Sequence, residues 1–167
     1  GIRHVGTKVG YSSHGVEVGI SAPAGNCVNV QVGQTCLFPF INPTNQGSTS
    51  PAANTYTGTG DSTVGTSFAA PLVAGTAALM LAANPALTET DVGALIKSSA
   101  TPFPLDSTLP TCPLTSTDGQ CNCTTTTCGA GMLNTGSAVT AAVAAANPSV
   151  SIGVAASRVV GTAFSLD

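Results

Sequence analysis

Residues 65–71 of the chain read Gly-Thr-Ser-Phe-Ala-Ala-Pro, and an apolar run continues from them to residue 83, just before Asn84-Pro85. The pattern predicts a helix that begins close to Ser67. A serine at a helix start ordinarily caps the helix, because its hydroxyl oxygen accepts a backbone N–H that has no partner inside the helix. The same position suits a nucleophile, since free N–H groups and the positive end of the helix dipole stabilise an oxyanion. The local pattern by itself favours the cap.

Two further stretches accompany this one. Residues 11–15 read Tyr-Ser-Ser-His-Gly and are followed by Ser-Ala-Pro at 21–23, and residues 129–134 read Gly-Ala-Gly-Met-Leu-Asn. Together with residues 65–71, these stretches resemble in order and spacing the motifs of the subtilisin-like serine proteases (subtilases) of the secreted bacterial type. The resemblance covers residues 1–147, which are similar to the C-terminal part of the catalytic domain in that family.

The resemblance implies an α/β fold, namely a three-layer subtilisin-like fold with a mostly parallel sheet, of which only the C-terminal portion is present in this chain. It implies further that Ser67 is the catalytic nucleophile and that its backbone N–H is an oxyanion donor. Gly65 and Thr66 would form the nucleophile turn. The expected activity is that of a secreted serine endopeptidase, which hydrolyses proteins through an acyl-enzyme on Ser67.

A nucleophilic serine needs a general base. The chain has two histidines, His4 and His14, and neither matches the order in the family, where an Asp and then a His lie far upstream of the serine. Asp61 is interpreted as a turn-forming loop residue rather than the triad acid. We therefore expect the Asp, the His and the side-chain amide of the oxyanion hole in an upstream segment outside this chain. That segment, as a separate chain of the same protease domain, is the expected partner.

Composition limits the other partners. Charged residues make up 7% of the chain, hydrophobic residues make up 43%, and the formal net charge is −3 with four Lys and Arg residues. So few basic residues argue against nucleic-acid binding. The apolar run is interrupted by Pro71 and Gly75 and falls short of the ~20 residues of a membrane span, so a core helix and no membrane partner are expected. Proteins or peptides are the expected substrates.

The cysteines predict disulfide bonds. Six cysteines occur, in two clusters. They include no Cys-x-x-Cys pair, and no histidine lies near the second cluster, so zinc is disfavoured and no metal site is predicted. Disulfides imply an oxidising, extracellular compartment. The first cluster predicts one local pair, and the second allows three pairings, of which one is preferred: Cys27–Cys36 in the first cluster, and Cys112–Cys121 with Cys123–Cys128 in the second.

Glu17 is a candidate cation ligand, because relatives often bind calcium or sodium near the corresponding strand. A single carboxylate without acidic neighbours is weak support, since calcium prefers several oxygen ligands. A solvated strand residue is the favoured interpretation. We therefore expect no cofactor to be required by this chain, and calcium only elsewhere in the complete domain.

Local patterns predict the remaining elements. Residues 16–20 alternate as a strand does, and residues 38–63 are rich in Pro, Asn, Gly, Ser and Thr, which indicates a surface excursion. A capping box at residues 88–91 predicts a helix that runs to about Ser99. Two further segments complete the expectation, a disulfide-rich loop over 104–128 and an Ala-rich helix over 135–146.

The domain organisation changes after residue 147. Residues 1–147 are expected to form the C-terminal part of a subtilisin-like peptidase domain. Residues 148–167 have β composition with turn residues between. They are either a terminal strand of that domain or the start of an appended immunoglobulin-like domain.

Two other functions stay open at this point. Sedolisin-like peptidases, which use a Ser-Glu-Asp triad, also have a Gly-Thr-Ser-x-x-x-Pro turn. They usually end with an Asp-rich calcium loop, whereas the corresponding region here is rich in Cys and Thr. A catalytically dead homologue that binds peptides without cleaving them is the other alternative.

Overall fold

A computed structural model describes residues 1–27, 38–58 and 63–146. These ranges contain a two-stranded hairpin and three helices, in the order β1 Pro43–Asn45, β2 Asn54–Tyr56, α1 Thr66–Ala83, α2 Glu89–Ser98 and α3 Thr135–Ala146. Three predictions fall on residues outside the described ranges, namely the Cys27–Cys36 pair, the loop role of Asp61 and the character of residues 148–167. These three, and the domain division at residue 147, stay predictions.

The predicted helices are all present, and side-chain caps explain where α2 and α3 begin. Thr88 and Asp91 form the predicted capping box: the Asp91 N–H donates to the Thr88 hydroxyl oxygen over 3.2 Å, and the Thr88 N–H donates to the Asp91 carboxylate over 2.9 Å. Hydrogen bonds from the Thr88 hydroxyl and N–H hold the pKa of Asp91 below its usual value. At α3, the side-chain oxygen of Asn134 accepts the Ser137 N–H over 3.0 Å. Both helices therefore begin where the sequence supplies an acceptor for first-turn N–H groups.

The three helices pack around a small apolar core. Met80 of α1 and two alanines of α3, Ala138 and Ala142, are fully buried. The small α3 side chains let the two helices approach closely, and the hydroxyls of Thr76 and Thr135 lie 2.7 Å apart at the same contact. The buried members of this core are Met80, Val92, Ile96, Ala138 and Ala142.

One face of α1 is buried and the rest is exposed. The buried residues are Ala69, Thr76 and Met80, whose spacing places them on one side of the helix. The 18-residue stretch has a mean hydropathy of 1.6, yet only 17% of it is buried within the chain. Among the described helices it is the one long and apolar enough to cross a membrane, a test by length and composition that the core helix of a globular domain also passes. The expected core helix is thus not covered by the described residues, because they pack against one side of it only.

The predicted strand at residues 16–20 is wrong. Val16 is 70% exposed, and it lies in a turn that the Val18 N–H closes by donating to the Gly15 carbonyl oxygen over 3.2 Å. Alternation indicates a strand only where one face is buried, and both Val16 and Glu17 are exposed. The pattern therefore belongs to a surface turn.

Parallel pairing occurs around this turn, but only as isolated bridges in the described ranges. Ile2 pairs in parallel with Pro23, and Ser21 pairs in parallel with Met132. The strands β1 and β2 are antiparallel to each other and lie within the predicted surface excursion, where most residues are exposed. The part of the chain described here therefore has helices and paired extended segments without an extended parallel sheet.

The region 104–128 is a disulfide-rich loop, as predicted. It contains the preferred pairing, with S–S distances of 2.04 Å for Cys112–Cys121 and 2.09 Å for Cys123–Cys128. Three of these sulfur atoms lie within 4.8 Å of one another. As disulfide sulfurs they offer no thiolate to a metal ion.

Two buried polar side chains hold this loop. The Lys8 ammonium donates to the carbonyl oxygen of Gly119 over 2.8 Å, which ties the loop to the N-terminal part of the chain. Asn122 is 3% exposed, and its side-chain oxygen accepts the Asp106 N–H over 2.9 Å. Its amide nitrogen donates to the carbonyl oxygens of Asp106 and Leu109, each over 2.8 Å. Asn122 therefore stabilises the loop conformation from inside.

We expect Asn122→Ala to lower the free energy of unfolding by about 2–4 kcal/mol, because backbone groups of Asp106 and Leu109 lose their partners in a partly buried setting. The control is Thr125→Ala, at an exposed position of the same loop, which should change that free energy by less than about 0.5 kcal/mol. Urea unfolding followed by circular dichroism measures both, on the chain assembled with the expected upstream segment. Equal effects of the two substitutions would contradict the structural role of Asn122.

Candidate active site

The carbonyl oxygen of Ala24 joins two of the three sequence motifs. It accepts a hydrogen bond from the Tyr11 hydroxyl and another from the Gly65 N–H, the latter over 2.8 Å. The Tyr11 hydroxyl also lies 3.0 Å from the carbonyl oxygen of Gly25. Burial raises the pKa of Tyr11, so the phenol keeps the proton that it donates. The aromatic residue of the first motif thereby positions the turn that precedes α1.

The third motif reaches the same place through backbone pairing. The Ser21 N–H donates to the carbonyl oxygen of Gly131 over 3.0 Å, and the Leu133 N–H donates to the carbonyl oxygen of Ser21 over 2.7 Å. Ser21 opens the Ser-Ala-Pro segment, which ends next to Ala24. Residues distant in sequence are therefore assembled around one short segment.

Close backbone approach explains the two glycines of the third motif. A β-carbon on Gly129, whose φ is +84°, would lie 2.5 Å from the carbonyl carbon of Gly19, and one on Gly131 would lie 2.6 Å from the carbonyl oxygen of Thr101. No side chain fits at these separations. The Gly-x-Gly pattern is therefore a packing requirement of this arrangement.

Gly65 forms the turn into α1. Its φ of 157° and ψ of 154° lie in a region of backbone conformation that is essentially restricted to glycine. A β-carbon there would meet no atom closer than 3.8 Å, so the requirement is conformational rather than steric. The Phe68 N–H donates back to the Gly65 carbonyl oxygen over 3.0 Å, which places Thr66 and Ser67 as the first two residues of the helix.

Ser67 is not the cap of α1, so the cap interpretation is wrong. The N-cap is Gly65, and no side chain caps the helix. A cap residue has non-helical dihedral angles, whereas Ser67 lies inside the first helical turn. Its side chain is exposed, and within residues 1–27, 38–58 and 63–146 its hydroxyl makes no hydrogen bond. The hydroxyl is therefore exposed and has no structural role among the described residues.

Backbone hydrogen-bonding groups around Ser67 also lack partners in the described ranges. The first turn of α1 has no side-chain cap and no acidic residue to offset the positive end of the helix dipole. Pro71 lies four residues after Ser67 and has no N–H, so the Ser67 carbonyl oxygen lacks its usual helical donor. An exposed hydroxyl beside free N–H donors is an arrangement that can attack a carbonyl group and stabilise the resulting oxyanion.

Both histidines of the chain have other contacts. His14 is buried, and its Nε2 lies 2.9 Å from the carbonyl oxygen of Pro113. His4 is exposed and stacks on the ring of Phe38, with 3.7 Å between the ring centroids. In the described part of the chain, Ser67 therefore stands without a general base.

Phe68, which follows Ser67, packs on a residue that the sequence motifs did not single out. Phe40 stacks on its ring with centroids 5.0 Å apart and an interplanar angle of 17°. The Phe40 N–H donates to the carbonyl oxygen of Thr63 over 2.9 Å, which holds the surface excursion beside the turn. The sequence did contain a sign that Phe40 has a packing role. Phe38 and Phe40 are two of the five Phe residues of the chain, and they lie at the start of a mostly polar segment.

Comparisons with known proteins agree with this arrangement. Residues 4–131 match the model of the subtilase family. An extracellular protease of Xanthomonas campestris pv. campestris is 32% identical over 139 residues, which is 83% of this chain and 18% of that protein. A solved structure of proteases from Pseudoalteromonas arctica is 30% identical, with a TM-score of 0.61, and the match covers 82% of this chain and 33% of that one. The chain thus spans a fifth or less of the curated relative and a third of the structural one.

We expect Ser67→Ala and Gly65→Ala to differ sharply in their effect on stability. Ser67→Ala should change the free energy of unfolding by less than about 0.5 kcal/mol, because the exposed hydroxyl has no partner. Gly65→Ala should lower it by about 1–3 kcal/mol, because the turn conformation is strained for any other residue. Thermal or urea unfolding of the two variants, each assembled with the expected upstream segment, measures the difference. A larger loss for Ser67→Ala than for Gly65→Ala would restore the cap interpretation.

Proposed function

Because the chain belongs to the subtilase family, we propose that Ser67 is the nucleophile of a secreted serine endopeptidase. The observation that carries the proposal is the exposed hydroxyl of Ser67, which makes no hydrogen bond in the described part of the chain and follows the Gly65 turn. The names of the Xanthomonas and Pseudoalteromonas relatives as proteases support the same class of activity.

In the proposed reaction, Oγ of Ser67 attacks the carbonyl carbon of the scissile peptide bond while a His base takes the hydroxyl proton. The carbonyl oxygen becomes an oxyanion, which accepts hydrogen bonds from the backbone N–H of Ser67 and from a side-chain amide. The His then gives its proton to the leaving amine as the C–N bond breaks, which leaves an acyl-enzyme on Ser67. Water hydrolyses this ester by the same sequence and restores the hydroxyl.

We assign the Asp, the His and the oxyanion amide to an upstream segment of the same protease domain, present as a separate chain. The match to the Pseudoalteromonas structure covers 33% of that chain, which leaves room for such a segment in a complete domain. The uncovered side of α1 carries Leu72, Leu79 and Leu81, which are 39%, 54% and 41% exposed. Apolar surface of this kind favours a covering layer, and that layer would complete the three-layer fold with its parallel sheet.

Secretion, substrates and cofactors follow from the same proposal. The two disulfides of the described loop are typical of an oxidising compartment, and the Xanthomonas relative is named as extracellular. The substrates are proteins or peptides. Acyl transfer on Ser67 requires no cofactor from this chain, and we place any calcium site elsewhere in the complete domain. The subtilase match favours an Asp-His-Ser triad over the Ser-Glu-Asp triad of sedolisin-like peptidases.

In the active assembly of this chain with its upstream segment, Ser67→Ala should abolish peptide cleavage. The expected loss is ~10⁶-fold in kcat, as in the subtilisin series, because the nucleophile is removed while the fold is kept. A fluorophosphonate probe should label Ser67 in the unchanged protein and leave the Ala variant unlabelled, since only an assembled triad activates the serine. Ser48→Ala, at an exposed position distant in sequence from Ser67, is the control and should keep both labelling and cleavage. Failure to label Ser67 in the full assembly would identify a catalytically dead, peptide-binding homologue.

We expect residues 1–167 alone to unfold without a cooperative transition, and to gain one when mixed with the upstream segment. The reason is that the apolar face of α1 needs a covering layer and that paired extended segments leave open edges. Differential scanning calorimetry of the chain alone and of the mixture measures this. Leu79→Asp, on the uncovered face of α1, should weaken the association, whereas Thr140→Asp, at an exposed position of α3, should not. A cooperatively folded, peptide-cleaving chain without any partner would refute the two-piece proposal.

A further inference from the structure

The hairpin of β1 and β2 carries the longest continuously exposed stretch in the described ranges, from Pro43 to Asn54. Each strand has three residues, and Asn45 pairs with Asn54 at the end of the ladder. A two-stranded hairpin of this size is at best marginally stable by itself in water. Its tip, residues 46–53, consists of small and polar residues, which are typical of preferred sites of proteolytic nicking. The tip is therefore the part of the described chain most open to a protease.

The side chain of Asn45 closes this tip. Its Oδ1 accepts the Gly47 N–H over 2.9 Å and the Ala52 N–H over 2.8 Å. Its Nδ2 donates to the Ala52 carbonyl oxygen over 2.8 Å and to Oδ1 of Asn54 over 2.9 Å. A single amide group thus holds both ends of the tip with four hydrogen bonds, although the side chain lies on the surface.

The tip is also folded tightly. A β-carbon on Gly47 would lie 1.8 Å from the carbonyl oxygen of Ser50, so the chain turns back at a distance that only glycine allows. The Gln46 N–H donates to the Ala53 carbonyl oxygen over 3.0 Å across the same turn. A scissile peptide bond must reach a nucleophile in a near-attack geometry, which a tip closed in this way does not permit. Cleavage within the tip therefore requires that the tip first open by local unfolding.

Damage to the hairpin would reach the candidate active site. The Thr57 N–H donates to the Asn42 carbonyl oxygen over 2.8 Å, which continues the pairing of the hairpin toward Phe40. Phe40 in turn stacks on Phe68 with 5.0 Å between the ring centroids, and Phe68 is bonded directly to Ser67. A break between the two strands would therefore loosen the packing next to the nucleophile.

We infer that residues 46–53 are the site at which one copy of this endopeptidase cleaves another, and that the Asn45 side chain limits this self-cleavage by keeping the tip closed. The inference rests on the proposed function of Ser67. The cut is an ordinary hydrolysis: the Ser67 hydroxyl of one copy takes the acyl part of the broken bond of the other, and water then releases it as a new carboxylate beside a new amino terminus. Where opening and closing are fast relative to cleavage, the rate follows the population of the open tip.

The test compares self-cleavage of variants in the active assembly of this chain with its upstream segment. Asn45→Ala removes all four side-chain hydrogen bonds and should speed the loss of intact chain by about tenfold or more, with new termini inside residues 46–53 by mass spectrometry. Gly47→Ala opens the tip by a different route, through its clash with Ser50, and should also speed the loss. Gln46→Ala is the matched control, because this exposed neighbour carries an amide side chain without a hydrogen bond in residues 1–27, 38–58 and 63–146. It should leave the rate unchanged.

A second arm separates the role of Asn45 from the activity of Ser67. The same variants are made in a Ser67→Ala background, where the assembly should stay intact by itself and show the same order of cleavage rates when proteinase K is added. Urea unfolding of this assembly should have the same midpoint with and without Asn45→Ala, because the effect on the tip is local.

The two proposals fail in distinguishable ways. Absent fluorophosphonate labelling of Ser67 in the unchanged assembly overturns the proposed function, and self-cleavage with it. Intact labelling overturns the inference alone if Asn45→Ala is cut no faster than Gln46→Ala in either arm, or if all cuts lie outside residues 46–53. A lowered unfolding midpoint with cuts spread along the chain also overturns it, because Asn45 would then support the whole assembly rather than the tip.

Discussion

The backbone carbonyl oxygen of Ala24 is the point on which the geometry of the site depends. It accepts the Gly65 N–H that fixes the turn into α1, and it accepts the Tyr11 hydroxyl from a different part of the chain. Both donors are held on one acceptor, so the direction in which α1 leaves the turn is set by residues upstream of the helix. The exposed position of Ser67 follows from that direction. Burial raises the pKa of Tyr11, so the phenol stays protonated and continues to donate this hydrogen bond.

The conformation of the Gly65 turn and the lack of a side-chain cap together leave Ser67 in an uncapped first turn of α1. Gly65 adopts a conformation that other residues avoid, which lets the helix begin without a side-chain cap. A capped helix start would have used the N–H groups that an oxyanion needs, and an acidic first turn would have opposed negative charge there. Pro71 removes one further helical bond next to the same residue. The helix start is thus less stable than a capped one and is more available to a bound carbonyl group.

The uneven burial of α1 links fold and function. Its buried side carries the core contact with α2 and α3 through Met80, and its other side carries exposed leucines. A helix that is apolar all round is normally buried on all sides. Under the proposed function, its N-terminus, with Ser67, is where the proposed covering layer and the substrate both meet the chain. The surface excursion already packs against this end of α1, because its Phe40 ring stacks on Phe68.

Features that depend on neighbours in sequence were determined by the sequence alone. The capping box of Thr88 and Asp91 and the bounds of α3 depend on residues close in sequence, so composition and spacing suffice. The two disulfides of the loop are equally local, but the sequence only favoured their pairing among the three that four cysteines allow. Long-range contacts were decided only by the tertiary structure. Val16 and Glu17 form a turn because both side chains are exposed, and Gly65, whose N–H donates to the Ala24 carbonyl oxygen, takes the cap position instead of Ser67. A one-dimensional pattern records which residues can be buried or hydrogen-bonded, but the partner that does so comes from elsewhere in the chain and is fixed only when the chain folds.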